Sequence, residues 1–280
     1  MKLKLSCADF SFPLLPQGHA LELIANMGFD GVDVGLFGGG SQLSPATVLE
    51  QMPESAHRLA EQVDDVGLKV ADVFMIPGSF DVLAANHPDN VERQRSRDLF
   101  LRGLEFASLC GSGHMTALPG IHWKSEDVES SFARSAQELA WRTARAADVG
   151  IKFSVEAHLE SIVETPERTL ELIRCTSGLT LTLDDAHFIY QGMPDSRIEP
   201  LMAHASHFHA RGAAKDRMQT PMKQNVIDYP GVVQAMKRNG YRGFVGIEYC
   251  WDEWKACNEV DVVSETILLR DLLRNAAGHE

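Results

Sequence analysis

The sequence predicts a single-domain α/β protein with the (β/α)8, or TIM-barrel, architecture. Three observations carry that expectation. Short apolar stretches alternate with longer segments of helical period along all 280 residues, the pattern of repeated βα units. Glycine recurs between the end of a helical segment and the next apolar stretch. No change of composition divides the chain, whose length is close to the roughly 250 residues typical of such barrels.

Taken in order, the strand candidates are Lys2 to Cys7, Gly31 to Leu36, Leu68 to Ile76, His114 to Leu118, Ile151 to Glu156, Leu179 to Asp184, Ala205 to His209 and Phe244 to Glu248. Helical segments include His19 to Met27, Pro53 to Val66, Asn90 to Leu109, Val128 to Val149 and Pro166 to Arg174. The phrases ANMGFDGVDVG, VDDVGLKVADV, ARAADVGIKFSV and MKRNGYRGFVGIEY share one layout. In each, a helix end meets a glycine, which supplies the left-handed conformation that stops a helix. An open doubly wound sheet is the alternative architecture; it would not need an inward and outward pattern repeated on every strand. Gly38-Gly39-Gly40 lacks a following Gly-Lys-Ser/Thr and reads as a flexible loop.

Bulk properties exclude several function classes. Apolar residues make up 44% of the chain, and no run reaches the roughly 18 residues needed to cross a bilayer. The amino terminus, MKLKLSCADFSF, reads as a first strand and not as a signal peptide, so the expected location is the cytoplasm. Five cysteines, scattered and without a CxxC pair, read as free thiols. A formal net charge of -13 opposes binding to a phosphate backbone, and no basic run interleaved with aromatics offsets it. Neither nucleic acid nor membrane is an expected partner. An exposed apolar loop around Trp251 points towards a homo-oligomer.

The strand ends carry the chemistry. In a parallel barrel, alternate residues of each strand face the helices and the interior. In LTLTLDDAH, the leucines at 179, 181 and 183 face out, leaving Thr180, Thr182 and Asp184 facing in. The same parity turns Lys152, Ser154 and Glu156 inward on the fifth strand, His207 and His209 on the seventh, and Phe244, Gly246 and Glu248 on the eighth. Barrel enzymes build their sites at the carboxyl ends of the strands, so Glu156, Asp184, His209 and Glu248 should converge. Any one of them alone reads as a cap or a solvated loop residue; four of one parity on successive strands read as a site. Three carboxylates and an imidazole held together need a positive charge among them. A divalent metal meets that need, and one nitrogen with three oxygens suits Mn2+ first, with Mg2+, Co2+, Zn2+ and Fe2+ as alternatives.

Other residues carry weaker signals. His122 and Trp123, in LPGIHW after the fourth strand, could form an apolar lid or stack on a sugar, or simply pack the loop. Asp33 and His114 read as buried structural hydrogen-bonding groups. His207 lies one layer below His209 and reads as its support. Trp251 and Trp254, in YCWDEWKAC, either wall the pocket or make a subunit contact.

VEAH followed by VETPERTLELI (Glu156, His158, Thr165), the Asp-x-x-His of LDDAH (Asp184, His187), HFHAR (His209) and GYRGFVGIEY (Glu248) together resemble the xylose isomerase-like TIM barrels of the sugar phosphate isomerase/epimerase family. That family includes ketose 3-epimerases, inosose isomerases and dehydratases, and an endonuclease branch. The resemblance extends over essentially the whole chain. It implies that Glu156, Asp184, His209 and Glu248 hold the metal and that His158 and His187 face the substrate. Ketose 3-epimerases carry a Glu three residues and an Arg six residues after the seventh-strand histidine; those positions here are Gly212 and Lys215. Lys215 would supply the cation without its planar fork, with Arg217 or Arg211 as substitutes.

The expected reaction begins with removal of a proton from a carbon beside a carbonyl, the metal stabilising the resulting enediolate. Glu156 and Glu248 would exchange the proton as acid and base. Isomerisation or epimerisation of a sugar, sugar phosphate or cyclitol is the first reading. A lyase or dehydratase acting on a keto-polyol or an oxidised glycoside is the alternative. An endonuclease-type phosphodiesterase is disfavoured by the acidic charge, and a silent binding subunit by the retention of both glutamates.

Overall fold

The computed structural model describes residues 2–278. Eight parallel strands, β1 (Lys4–Ala8), β2 (Gly31–Phe37), β3 (Val70–Ile76), β4 (His114–Ala117), β5 (Lys152–Glu156), β6 (Thr180–Asp184), β7 (Ala205–Ala210) and β8 (Phe244–Ile247), form a closed barrel in sequence order. β1 closes on β8 with Lys4 opposite Phe244 and Ser6 opposite Gly246. Every expected strand is present, with boundaries moved by no more than two residues. The doubly wound alternative is thereby excluded, since the sheet has no free edge.

The expected helices appear as α1 (Gln17–Asn26), α3 (Glu54–Asp65), α4 (Asn90–Leu109), α5 (Val128–Asp148) and α6 (Pro166–Cys175). Short helices α2 (Pro45–Glu50), α7 (Ala186–Tyr190) and α8 (Asp195–Ile198) lie in the loops, and α9 (Tyr229–Arg238) and α10 (Val262–Ala277) complete the outer ring. Their starts follow from local chemistry. Asp89, Asp127 and Thr165 each accept a hydrogen bond from a backbone N–H in the first turn of α4, α5 and α6, meeting donors that have no partner within the helix. Gly150, at φ 75°, ends α5 and turns the chain into β5.

The outward strand residues, among them Val34, Val73, Met115, Phe153, Leu181, Leu183, Phe208 and Val245, are buried against the helices in one continuous apolar core. The barrel interior is polar and largely paired internally. Thr116, Ser154 and Thr182 form a hydroxyl triangle with edges of 3.1, 2.7 and 2.6 Å. Nearer the amino ends, His114 bridges Asp72 at 2.7 Å and Ser206 at 2.8 Å, and Thr180 joins Ser206 at 2.7 Å. His207 Nε2 lies 2.9 Å from Asp33 Oδ2; a Cβ at Gly246 would overlap that same oxygen, so glycine there leaves room for the pair. His114, His207 and Asp33 are thus paired inside the barrel, and this framework forms the floor under His209.

Candidate active site at the carboxyl end of the barrel

Strand parity brings the four expected residues to one place. His209 Nδ1 lies 2.8 Å from Glu156 Oε1 and 3.1 Å from Glu248 Oε2, and all three side chains are buried. Asp184, on the strand between β5 and β7, completes the group from the other side. Its Oδ1 accepts the backbone N–H of Ala186 at 2.9 Å, while its Oδ2 accepts from Arg211 Nε at 3.0 Å and Nη2 at 2.5 Å. Arg211 Nη2 also reaches Glu248 Oε2 at 2.8 Å. A guanidinium therefore stands among the carboxylates where sequence reasoning called for a positive charge. Its signal was available: Arg211 continues the inward parity of His207 and His209, one step beyond the end of β7.

The charges divide unevenly. Burial, reinforced by Glu248, pushes Glu156 up from 4.5 to about 7, against the hydrogen bond from His209. Glu248 is equally buried, but Arg211 and His209 outweigh the cost of burial and hold it at about 2. Burial disfavours the imidazolium of His209, yet Glu248 and Glu156 together drive it well above the ordinary histidine range. Glu248 is thus ionised at neutral pH, while Glu156 exchanges its proton there.

Two further histidines flank the group, and the backbone of one residue fixes both tautomers. The Leu159 N–H donates to His187 Nδ1 at 3.0 Å, which leaves the proton of the neutral ring on Nε2. That nitrogen has no hydrogen-bond partner and points between Asp184 Oδ2 at 3.6 Å and Glu156 Oε2 at 3.8 Å. The Leu159 carbonyl accepts from His158 Nδ1 at 2.5 Å, which leaves His158 Nε2 as a lone-pair acceptor. Burial keeps both rings neutral, His158 at about 4 and His187 well below its ordinary value. The rings lie 4.1 Å apart, so a donor and an acceptor stand side by side.

Above these groups opens a cavity of about 310 Å³ whose walls include Glu156, His158, Arg211, Glu248 and Cys250. Its apolar side comes from β2, β3 and the turn after β1: Phe37, Phe74 and Phe10 pack with centroids 4.6 to 6.3 Å apart, and Phe74 lies 5.6 Å from His209. Phe80 and Trp254 close on His158 at 4.8 and 5.1 Å. Trp251 and Trp254 therefore line the pocket, one of the two roles open from sequence. The Phe10, Phe37 and Phe74 wall was missed, because the parity argument was applied only to the later strands.

Of the expected substrate contacts, His158 lines this cavity, His187 is fully buried against it, and four others are not brought to it. Lys215 and Arg217 are exposed, because the chain reverses after Gly212 and Ala214 bridges Arg217 in a tight turn outside the barrel mouth. His122 is exposed and its Nε2 contacts the Glu126 carbonyl at 3.1 Å. Trp123 donates from Nε1 to Asn86 Oδ1 at 3.1 Å and packs on His87. That loop serves packing, not the cavity.

The family model of the xylose isomerase-like TIM barrel matches residues 21–272. The chain belongs to that family. Among curated proteins, none matches it by sequence. Solved structures of similar fold include D-psicose 3-epimerase from Clostridium cellulolyticum H10 with D-tagatose, at TM-score 0.80 and 14% identity over 98% of this chain and 99% of that one. The probable 3-DHS dehydratase AsbF from Bacillus anthracis aligns at TM-score 0.72 and 14% identity, over 96% and 99% of the two chains. A xylose isomerase-like TIM barrel protein from Mycobacterium smegmatis, in complex with magnesium, aligns at TM-score 0.74 and 12% identity over 99% and 98%. At these identities the likeness is one of fold, shared with proteins named as sugar epimerases and a dehydratase.

The donor set fits a divalent ion. Ligand atoms of Glu156, His209 and Glu248 lie within 4.8 Å of one another, and ligands about 2.1 Å from an ion stand roughly 3 Å apart at right angles, close to the observed 2.8 and 3.1 Å. His187 is not part of that set, since its free nitrogen carries the proton.

Proposed function

We propose that the protein is a divalent-metal-dependent isomerase or epimerase acting on a sugar, sugar phosphate or cyclitol whose carbonyl adjoins a hydroxyl-bearing carbon. The observation that carries this reading is the pair Glu156 and Glu248, held on one imidazole nitrogen yet perturbed in opposite directions. Such a split is what an exchange of one proton between two carboxyl groups requires.

Glu156, His209 and Glu248, joined by Asp184 once Arg211 releases it, would hold the metal, with Mn2+ as the first candidate. When bound, the ion supplies Lewis-acid stabilisation of the negative charge that develops on the substrate oxygens. Glu248 is ionised and removes the proton from the carbon beside the carbonyl. Glu156, in the fraction that carries a proton, returns it. Delivery to the opposite face of the same carbon gives an epimer, and delivery to the neighbouring carbon gives the aldose–ketose or inosose isomer. His187 Nε2–H donates to a substrate oxygen, and His158 Nε2 accepts from an adjacent hydroxyl. The phenylalanine wall and Trp254 exclude water from the carbanion.

The alternative is elimination from a keto-polyol or oxidised glycoside, which shares the first step. It is favoured by the fold shared with a dehydratase.

The test is proton NMR in D2O of the Mg2+-loaded protein with separate ketoses, inososes and 3-keto-glycosides, and with Glu248→Gln as control. The expected result is deuterium entering beside the carbonyl, abolished or slowed at least about a hundredfold in the variant. The accompanying product separates epimer, isomer and elimination. Absence of exchange with every substrate class would overturn the enolisation reading.

A further inference from the structure

On the outer side of β6, away from the catalytic cavity, lies a second cavity of about 280 Å³ between α8 and α9, lined by Asp185, Asp195, Glu199, Asp228 and Arg238 among others. Asp185 follows the inward Asp184 and takes the opposite direction. It is 5% exposed, and its Oδ1 has no hydrogen-bond partner. Oδ1 of Asp195 is likewise buried without one. Asp228 accepts the Gly231 N–H at the start of α9. The cation at the rim, Arg238, pairs with Glu199 at 2.7 Å and so is already engaged. Burying the Asp185 carboxyl with an oxygen left unpartnered is costly, and the enolisation chemistry makes no use of it.

We propose that this cavity is a second cation site, taking a hydrated hard divalent ion such as Mg2+ or Ca2+ between Asp185, Asp195 and Asp228. Among the described residues these three do not close to direct-ligation spacing, so water must mediate. Mg2+ loses its water reluctantly and is commonly held through one or two carboxylates. About six waters at roughly 30 Å³ each need about 180 Å³, which the cavity provides. Asp185 is the residue before α7, so the ion would brace the turn that carries Asp184 and His187.

The test counts bound Mn2+ by electron paramagnetic resonance of the free ion, using the full chain up to millimolar metal. Wild type is expected to bind two ions, and Asp185→Asn and Asp195→Asn one each. The double variant Glu156→Gln/Glu248→Gln is expected to keep one ion, which adding Asp185→Asn removes. Asparagine reproduces a protonated aspartic acid in shape and hydrogen-bonding capacity. If Asp185 is only a protonated buried acid, its variant keeps the wild-type ion count, and that result overturns the proposal. Asp195, half-buried at the rim, gives the same readout with little risk to folding. A count of one in the wild type, unchanged in Asp185→Asn, overturns the outer site while leaving the catalytic one standing.

Discussion

Arg211 Nη2 lies 2.8 Å from Glu248 Oε2 and 2.5 Å from Asp184 Oδ2, so a permanent cation is buried where the carboxylates converge. Two opposite unit charges about 4 Å apart gain about 4 kcal/mol at an effective dielectric constant near 20. A divalent ion and this guanidinium compete for the same oxygens. Replacing Arg211 by Met should therefore strip the metal-free protein of its internal counter-charge, costing about 3 to 5 kcal/mol. The same change should tighten Mn2+ binding about tenfold or more, equivalent to about 1.4 kcal/mol. Calorimetric titration and melting curves with and without Mn2+ measure both. Mn2+ affinity that is unchanged or weaker in the variant would mean that Arg211 and the ion coexist.

The metal-free protein should lose stability as pH rises through the range set by Glu156. Its carboxyl is raised from 4.5 to about 7, so between those values the native state keeps a proton that the unfolded chain has released, and stability falls with rising pH. Glu248, lowered to about 2, acts oppositely: its contribution is complete above its ordinary value and is lost as pH falls towards 2. Glu156→Gln should abolish the first slope, a change on the order of 2 kcal/mol between about pH 5 and pH 8, read by urea unfolding in chelator. Glu248 and Glu156 hold His209 above its ordinary range, so metal ligation at neutral pH should release its imidazolium proton, measurable as a dependence of the calorimetric heat on buffer.

Thr182→Val tests the polar floor. Thr116 and Ser154 would each lose a partner inside a closed barrel, where an unsatisfied hydroxyl costs about 1 to 3 kcal/mol. Denaturant unfolding should show that loss, with the metal affinity of the layer above little changed.

Trp254→Ala should raise KM about tenfold, with a smaller effect on kcat. Its ring packs over His158 at 5.1 Å and His187 at 6.2 Å, and loss of an aromatic wall is worth about 1.4 kcal/mol on that scale. A fall in kcat at constant KM would instead assign it to the chemical step.

The strands could be found from sequence because a buried parallel strand is a short apolar run with a fixed period of two, and that period carried Glu156, Asp184, His209 and Glu248 to one end. The same counting reaches Arg211 once it is continued past the strand, and Phe74 once it is applied to β3. What the period does not govern is a loop. Lys215 and Arg217 lie only a few residues beyond His209, but a tight turn sends them outward. His122 and Trp123 follow β4 onto the catalytic face, yet Asn86 and His87, far away in sequence, hold that loop down. Long-range contacts decided those positions, and no local pattern encodes them.

The backbone of Leu159, with its N–H on His187 and its carbonyl on His158, also bears on how such a barrel can diversify. The polarity of the two imidazoles is set by the path of the chain and not by any side chain. A point substitution can delete either ring, but it cannot exchange which one gives and which one receives a hydrogen bond. New substrates with the same hydroxyl and carbonyl arrangement are within reach by remodelling the aromatic walls alone. A substrate of reversed arrangement would require rebuilding the backbone of the β5 loop, so selection for new specificity should travel along the first route.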